Sequence, residues 1–273
     1  MAPRFQFEIQ REGATALLSL NHGKANEMGE DQIHAFDRLA DTLERDGTRA
    51  LITWSERRSS RGTPLFISGA NVTERGAWSA EKIRAHVEFQ RRVVGRIRAL
   101  PLLHVAVVSG VALGWGTEFV IACDYRIATA EATFGLPETG LGILPGAGGT
   151  AHLWSQIGVA QALRLGMTGE HIGADEAARI GLVQEVSATL QDGLQRARDL
   201  GRRVEQASPS AVAAFKAACL GGVGRSPAER EALEAGAYEL CLESGDAAVG
   251  RKYFAEIRKG RSVPWGPRMD LEL

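Results

Sequence analysis

A change of rhythm constrains this chain more than any other feature: up to about residue 158 short apolar runs of strand length alternate with helical periods, and beyond it the pattern is helical throughout. Strands and helices taking turns place a sheet system beneath packed helices, an α/β fold. An all-helical tail must find a packing partner of its own. Residues 5–20 alternate Phe5, Phe7 and Ile9 with Gln6, Glu8 and Gln10 and turn at Arg11-Glu12-Gly13, which predicts a hairpin. A helix is expected over 31–45, where Ile33, Phe36, Ala40 and Leu43 fall at helical spacing. Strands over 50–54 and 65–68 enclose a polar, exposed loop at 55–63. A long helix over 79–99 carries Arg84, Arg91 and Arg98 on one face, read as exposed or as a subunit contact; Pro101 ends it, and a buried strand follows over 105–111. Helices are then predicted over 159–167, 174–180, 190–205, 209–220, 227–242 and 246–259. The chain thus divides into a strand-bearing core over 1–200 and a helical C-terminal region over 201–273.

Composition removes several function classes. With 273 residues, 44% of them apolar, the chain can bury a full core and is not expected to be disordered. Its 32 basic and 33 acidic residues leave a net charge of -1, so there is no global field for gripping nucleic acid or an anionic membrane. Three cysteines, at 123, 219 and 241, without CxxC spacing argue against a disulfide framework and a zinc site and fit a reducing, cytoplasmic setting. The first 13 residues lack an apolar stretch of signal-peptide length, and the longest apolar run, 100–119, contains Pro101, His104, Ser109, three glycines and Glu118, which suits a buried strand and turn better than a membrane span. The glycine-rich segments do not make a nucleotide site: no Gly-Lys-Ser/Thr occurs, and Gly140-x-Gly142-x-x-Pro145 and Gly114-x-Gly116-x-x-Phe119 each lack the third glycine of a dinucleotide fingerprint.

Three segments carry chemistry. In VSGVALGWGTEFVIACDYRIA, 108–128, the turn residues put Glu118 in the first turn of a helix starting near Gly116 or Thr117, where the unpaired N–H groups of Trp115 and its neighbours form a positive helix end. Taken alone, such a glutamate can simply complement the dipole. In FGLPETGLGILPGAGGT, 134–150, Glu138 is the only charge among seventeen residues, and Phe134, Leu136, Leu141, Ile143 and Leu144 around it imply desolvation or burial against a partner, unless it caps the following turn. In FISGANVTE, 66–74, a short strand ends in a turn that can leave the Ala70 N–H unpaired and facing a cleft, or that merely ends the strand.

Together with NHGKANEM at 21–28, these stretches resemble the crotonase (enoyl-CoA hydratase/isomerase) family over about residues 5–260. The resemblance implies a spiral of ββα turns with a C-terminal helical trimerisation region, assembled as a homotrimer or a dimer of trimers. It implies an oxyanion hole for the thioester carbonyl at the N–H groups of Ala70 and Trp115, and it places the two hydratase glutamates on Glu118 and Glu138. Lys24, Ala25, Ser68, Asn71 and Val72 fall in the segments that bind the acyl-CoA, with no cofactor beyond the coenzyme A of the substrate and no metal. Trp115 stands where the family usually has glycine, and Asn71 where it often has aspartate. A backbone donor survives at Trp115 only if its φ is negative, and the indole is expected to take volume at the pocket wall or project into a neighbouring cavity.

The expected reaction is hydration of an α,β-unsaturated thioester through enolate-like charge on the thioester oxygen. The helix end favours an ionised Glu118, the base toward water, and the apolar surroundings favour a protonated Glu138, the acid toward Cα. Sibling reactions of the same scaffold (isomerase, hydrolase, decarboxylase) are the first alternative. A non-catalytic RNA-binding or scaffold member is the second, and the neutral charge with 6% aromatic content counts against it.

Overall fold

A computed structural model of the chain describes residues 5–269. Among the described residues ten strands form two sheets: β1 (Ile9–Glu12), β2 (Thr15–Ser19), β3 (Ala50–Trp54), β5 (Leu103–Val108), β7 (Tyr125–Thr129) and β10 (Glu185–Ser187) in the larger, in that order. The smaller contains β4 (Leu65–Ile67), β6 (Val111–Leu113), β8 (Thr133–Gly135) and β9 (Ile172–Gly173), also in that order. β1 pairs with β2 and β8 with β9 antiparallel, and the other neighbours run parallel. Successive turns therefore lay one strand in the larger sheet, the next in the smaller, and return through helical structure, which is the spiral of ββα turns.

The helices are α1 (Glu30–Arg45), α2 (Val72–Arg75), α3 (Ala80–Ala99), α4 (Trp115–Ala122), α5 (Gly149–Ile157), α6 (Val159–Thr168), α7 (Ala174–Arg179), α8 (Leu190–Glu205), α9 (Pro209–Gly221), α10 (Pro227–Glu243), α11 (Asp246–Lys252) and α12 (Phe254–Ile257), with a 3-10 helix at Pro137–Leu141. The predicted hairpin, the long helices and the strands near 50 and 65 fall where the patterning put them. The strand expected over 105–111 is instead two strands in different sheets, broken at Ser109-Gly110. Gly110 permits the crossing, since a Cβ there would lie 2.3 Å from the Pro64 carbonyl carbon. The region beyond 158 is not helical throughout, because β9 and β10 add an edge to each sheet, and the helix expected over 246–259 is interrupted at Tyr253.

The main core gathers Phe36, Phe66, Phe119 and Phe134 between the sheets and α1, α3 and α4. A second cluster joins Leu194 and Ala197 of α8 to Leu17, Ile52, Val105, Val107 and Ile127 of the larger sheet. Lys216 ties α9 to this body through Asp124 at 2.7 Å and the Leu102 carbonyl at 3.0 Å. α9 and α10 pack on one another and leave Phe215 and Tyr238 exposed. Among the described residues no helix is long and apolar enough to cross a membrane.

Candidate active site

The start of α4 is set by close backbone approach. Gly114 takes φ +52°, and Gly116 sits so tightly on β4 that a Cβ would fall 2.2 Å from the Ile67 carbonyl oxygen. From β4 the chain runs through Ser68 and Gly69 to Ala70, and a Cβ on Gly69 would lie 3.4 Å from the Leu113 carbonyl oxygen. Ala70 and Trp115 thus follow the ends of two paired strands, β4 and β6. Met28 bridges this turn: its N–H donates to the Gly69 carbonyl and its carbonyl accepts from the Asn71 N–H, both at 2.9 Å. Ala70 between them keeps an N–H with no backbone acceptor, and so does Trp115 at the first position of its helix.

Trp115 meets the condition its N–H required, since among the described residues the positive φ angles outside glycine are confined to Asn26. Its indole does not occupy the pocket wall. It stacks on Phe119 at 5.6 Å, approaches Phe36 at 5.9 Å and is 2% exposed, so it belongs to the main core.

Glu118 is buried in that first turn, and its Oε1 accepts the N–H groups of Ala147 at 2.7 Å and Gly149 at 2.9 Å. Burial raises its pKa to about 7 against those two donors, with Glu138 adding to the rise and Arg75 opposing it. The helix end is therefore not the leading influence expected: burial raises the pKa in spite of the dipole. Glu138 lies in the 3-10 helix with its carboxyl against Gly114, where a Cβ would come within 2.7 Å of Oε1. Its Oε2 is buried without a partner, and burial raises its pKa as well. The apolar shell is thinner than anticipated, because Phe134 and Leu136 are buried while Leu141, Ile143 and Leu144 are exposed.

The predicted binding segments converge here. The Ser68 N–H donates to the Ala25 carbonyl at 3.2 Å, which joins 21–28 to the end of β4. Lys24 and Val72 are exposed. Asn71 Oδ1 is committed to capping α2, accepting the Glu74 N–H at 3.1 Å, so the side chain positions the turn. Sequence reasoning missed Asn26, fully buried at φ 52°, whose amide holds the Leu20 and Phe66 carbonyls and Ser55. A polar residue in an otherwise strand-adjacent turn was its only signal. Also missed are Arg75, His86 and Gln90, each with a buried nitrogen lacking a hydrogen-bond partner, a condition that costs about 1–3 kcal/mol per group. The arginine face of α3 is only partly free: Arg91 Nε donates to the Gly146 carbonyl at 3.2 Å and Arg98 is half-buried. His104 is a core residue, wholly buried and paired with Thr53 Oγ1 at 2.9 Å. Among the described residues no group of three or more His, Cys, Asp or Glu could hold a metal ion.

Comparison with known proteins finds relatives over most of the chain. The family model for enoyl-CoA hydratase/isomerase matches residues 30–263. The chain is 31% identical over 252 residues to the short-chain-enoyl-CoA hydratase of Clostridium acetobutylicum, covering 92% of this chain and 95% of that protein. It is 32% identical over 256 residues to the crotonyl-CoA hydratase of Syntrophomonas wolfei, covering 93% and 96%. Among solved structures, the enoyl-CoA hydratase of Bacillus anthracis superposes with a TM-score of 0.87 at 29% identity, covering 97% of this chain and 100% of that one.

Proposed function

We propose that this chain, which belongs to the enoyl-CoA hydratase/isomerase (crotonase) family, is an enoyl-CoA hydratase, a hydro-lyase that adds water across the α,β double bond of an acyl-CoA thioester. The observation that carries the reading is the meeting, at the start of α4, of two backbone N–H groups without acceptors and two carboxyls whose pKa values burial raises. The N–H groups of Ala70 and Trp115 receive the thioester oxygen. Removing one such donor costs roughly 3–4 kcal/mol of transition-state stabilisation in comparable sites. Glu118, oriented by Ala147 and Gly149, takes a proton from water as the water oxygen bonds to Cβ. The displaced π electrons reach the thioester oxygen, and Glu138 returns a proton to Cα as they collapse back. Burial raises both carboxyls and the Glu138 charge raises Glu118 further; the reaction uses one of the pair ionised as base and the other protonated as acid. Coenzyme A enters only as part of the substrate, along the two segments that contain Lys24 and Ala25, and Ser68, Asn71 and Val72.

The same reading makes the protein a homotrimer or dimer of trimers joined through its last helices, where Phe215, Tyr238 and Phe254 are 73%, 67% and 61% exposed. Deleting 225–273 is expected to give monomers or aggregates, and a truncated chain still trimeric by light scattering would contradict it. The activity is tested with purified protein and crotonyl-CoA. Loss of the conjugated thioester absorbance with formation of 3-hydroxybutyryl-CoA is expected. Isomerisation of a 3-enoyl-CoA without hydration of any 2-enoyl-CoA would place the chain with the sibling isomerases.

A further inference from the structure

Polar side chains that hydration at the α,β bond does not use border the site. α2 begins directly after Ala70 and Asn71 and ends at Arg75. Among the described residues the Arg75 guanidinium forms no ion pair or side-chain hydrogen bond, and its Nη2 is buried. Burial lowers its pKa, with the charges of Glu74 and then Glu118 opposing, and its carbonyl accepts the Trp78 N–H at 3.0 Å, which sets Arg75 beside Trp78. The adjacent carboxylate is engaged elsewhere, since Glu74 Oε2 accepts the Glu30 N–H at 3.1 Å. On α3, His86 is 5% exposed and Gln90 is 3% exposed. The two lie one turn apart on one helix face, and Nε2 of each lacks a partner. The Trp78 ring meets His86 edge-on at 4.8 Å. Burial, and after it the Arg75 charge, hold the His86 pKa at about 4, so the ring is neutral at physiological pH.

The rest of the buried face of α3, Val93, Val94 and Ile97, is aliphatic and packs into the main core, so the polar atoms are confined to the end of the helix next to Arg75. A hydrocarbon acyl tail against that end would leave polar nitrogens on three side chains buried and unpaired, a state that native structures avoid. A hydroxyl or ketone could accept from one or two of them but would leave the partly buried guanidinium to the charges of Glu74 and Glu118, neither of which is hydrogen-bonded to it among the described residues. A carboxylate offers two oxygens and about four acceptor sites together with a negative charge that bonds the guanidinium directly.

We propose that the acyl group this enzyme hydrates ends in a carboxylate, bound by Arg75 with His86 and Gln90 donating to its remaining lone pairs. The proposal rests on the hydratase reading, which seats the thioester carbonyl at Ala70 and Trp115. From there the four residues of α2 rise about 6 Å to Arg75, comparable with the length of a five-carbon acyl group. Glutaconyl-CoA, which is crotonyl-CoA with a terminal carboxylate, is therefore the matched probe.

The experiment compares kcat/KM for hydration of glutaconyl-CoA and crotonyl-CoA by the full-length protein and by Arg75→Met, His86→Leu and Gln90→Leu. The wild type is expected to favour glutaconyl-CoA by at least tenfold. Arg75→Met should lower the glutaconyl/crotonyl ratio at least a hundredfold, and the two α3 variants about tenfold each, mainly through KM. A wild type that hydrates crotonyl-CoA and disfavours glutaconyl-CoA overturns the proposal and leaves the hydratase reading standing. So does an Arg75→Met variant that loses both activities equally, with a shifted pH profile, because Arg75 would then serve only as a counter-charge to Glu118. Hydration of neither thioester removes the hydratase reading and this proposal with it.

Discussion

Glu118 and Glu138 are the same residue type, and the charge of Glu138 acts on Glu118, yet the protein holds them in opposite ways. Glu118 belongs to an eight-residue helix buried from end to end, and two backbone N–H groups fix one of its oxygens. Glu138 belongs to a 3-10 turn, is half-buried, has a buried oxygen with no partner, and is followed by the exposed Leu141, Ile143 and Leu144. One carboxyl is in position before any substrate arrives. The other keeps a buried oxygen without a partner among the described residues. In both, burial is the leading cause of the raised pKa; the N–H groups of Gly149 and Ala147 oppose it at Glu118, and only its own backbone N–H opposes it at Glu138.

The largest effect expected from breaking this arrangement is structural. Gly116→Ala places a methyl 2.2 Å from the Ile67 carbonyl oxygen, a clash between backbones that no side-chain movement relieves. We expect a loss of several kcal/mol of stability, the range of severe overpacking and strain, read as a fall in Tm by circular dichroism. A melt within a few degrees of wild type would mean that this contact does not position α4.

Next comes the charge of Glu118. A carboxyl at about 7 in the folded chain and an ordinary 4.5 in the unfolded one binds its proton more tightly when folded. Stability therefore falls as pH rises from 4.5 to 7, by about 3 kcal/mol at the top of that window. Glu118→Gln, which still offers an oxygen to Ala147 and Gly149, is expected to be more stable than wild type by this order at pH 8 and equal to it below pH 4.5, in urea unfolding series. Glu138→Gln should act in the same direction but less, since that side chain is only half-buried. An equal or larger gain from Glu138→Gln would reverse the asymmetry between the two sites. The smallest effect belongs to the turn that carries Ala70: Asn71→Ala removes the α2 cap and should cost about 1 kcal/mol.

Much of this molecule is legible before folding, and the failures have physical causes. Alternation and periodicity locate β3, α1, α3 and most later helices, because each buries one face of a regular element. They do not say which sheet a strand joins, so β5 and β6 read as one strand although Gly110 sends the chain across to the smaller sheet. β9 is two residues long and held by pairing with β8, too short for a pattern of its own. At the site, glycine spacing and a lone glutamate point to Glu118 and Glu138, yet the helix-end argument misjudges Glu118 because depth is a tertiary property. Arg75, His86 and Gln90 resemble solvated residues of polar segments, and only packing reveals which face of α3 is turned inward.

The central claim, that the two carboxyls work as one unit on a single water, is tested most directly by the hydration rates of Glu118→Gln, Glu138→Gln and the double variant with one thioester. Loss of a general acid or base typically costs ~10² to 10⁴-fold. Each single change should therefore lower kcat at least about a hundredfold with KM altered far less, and the double variant should be little worse than the slower single one. If both single variants keep most of the hydration rate, the mechanism is wrong even though the fold and family stand.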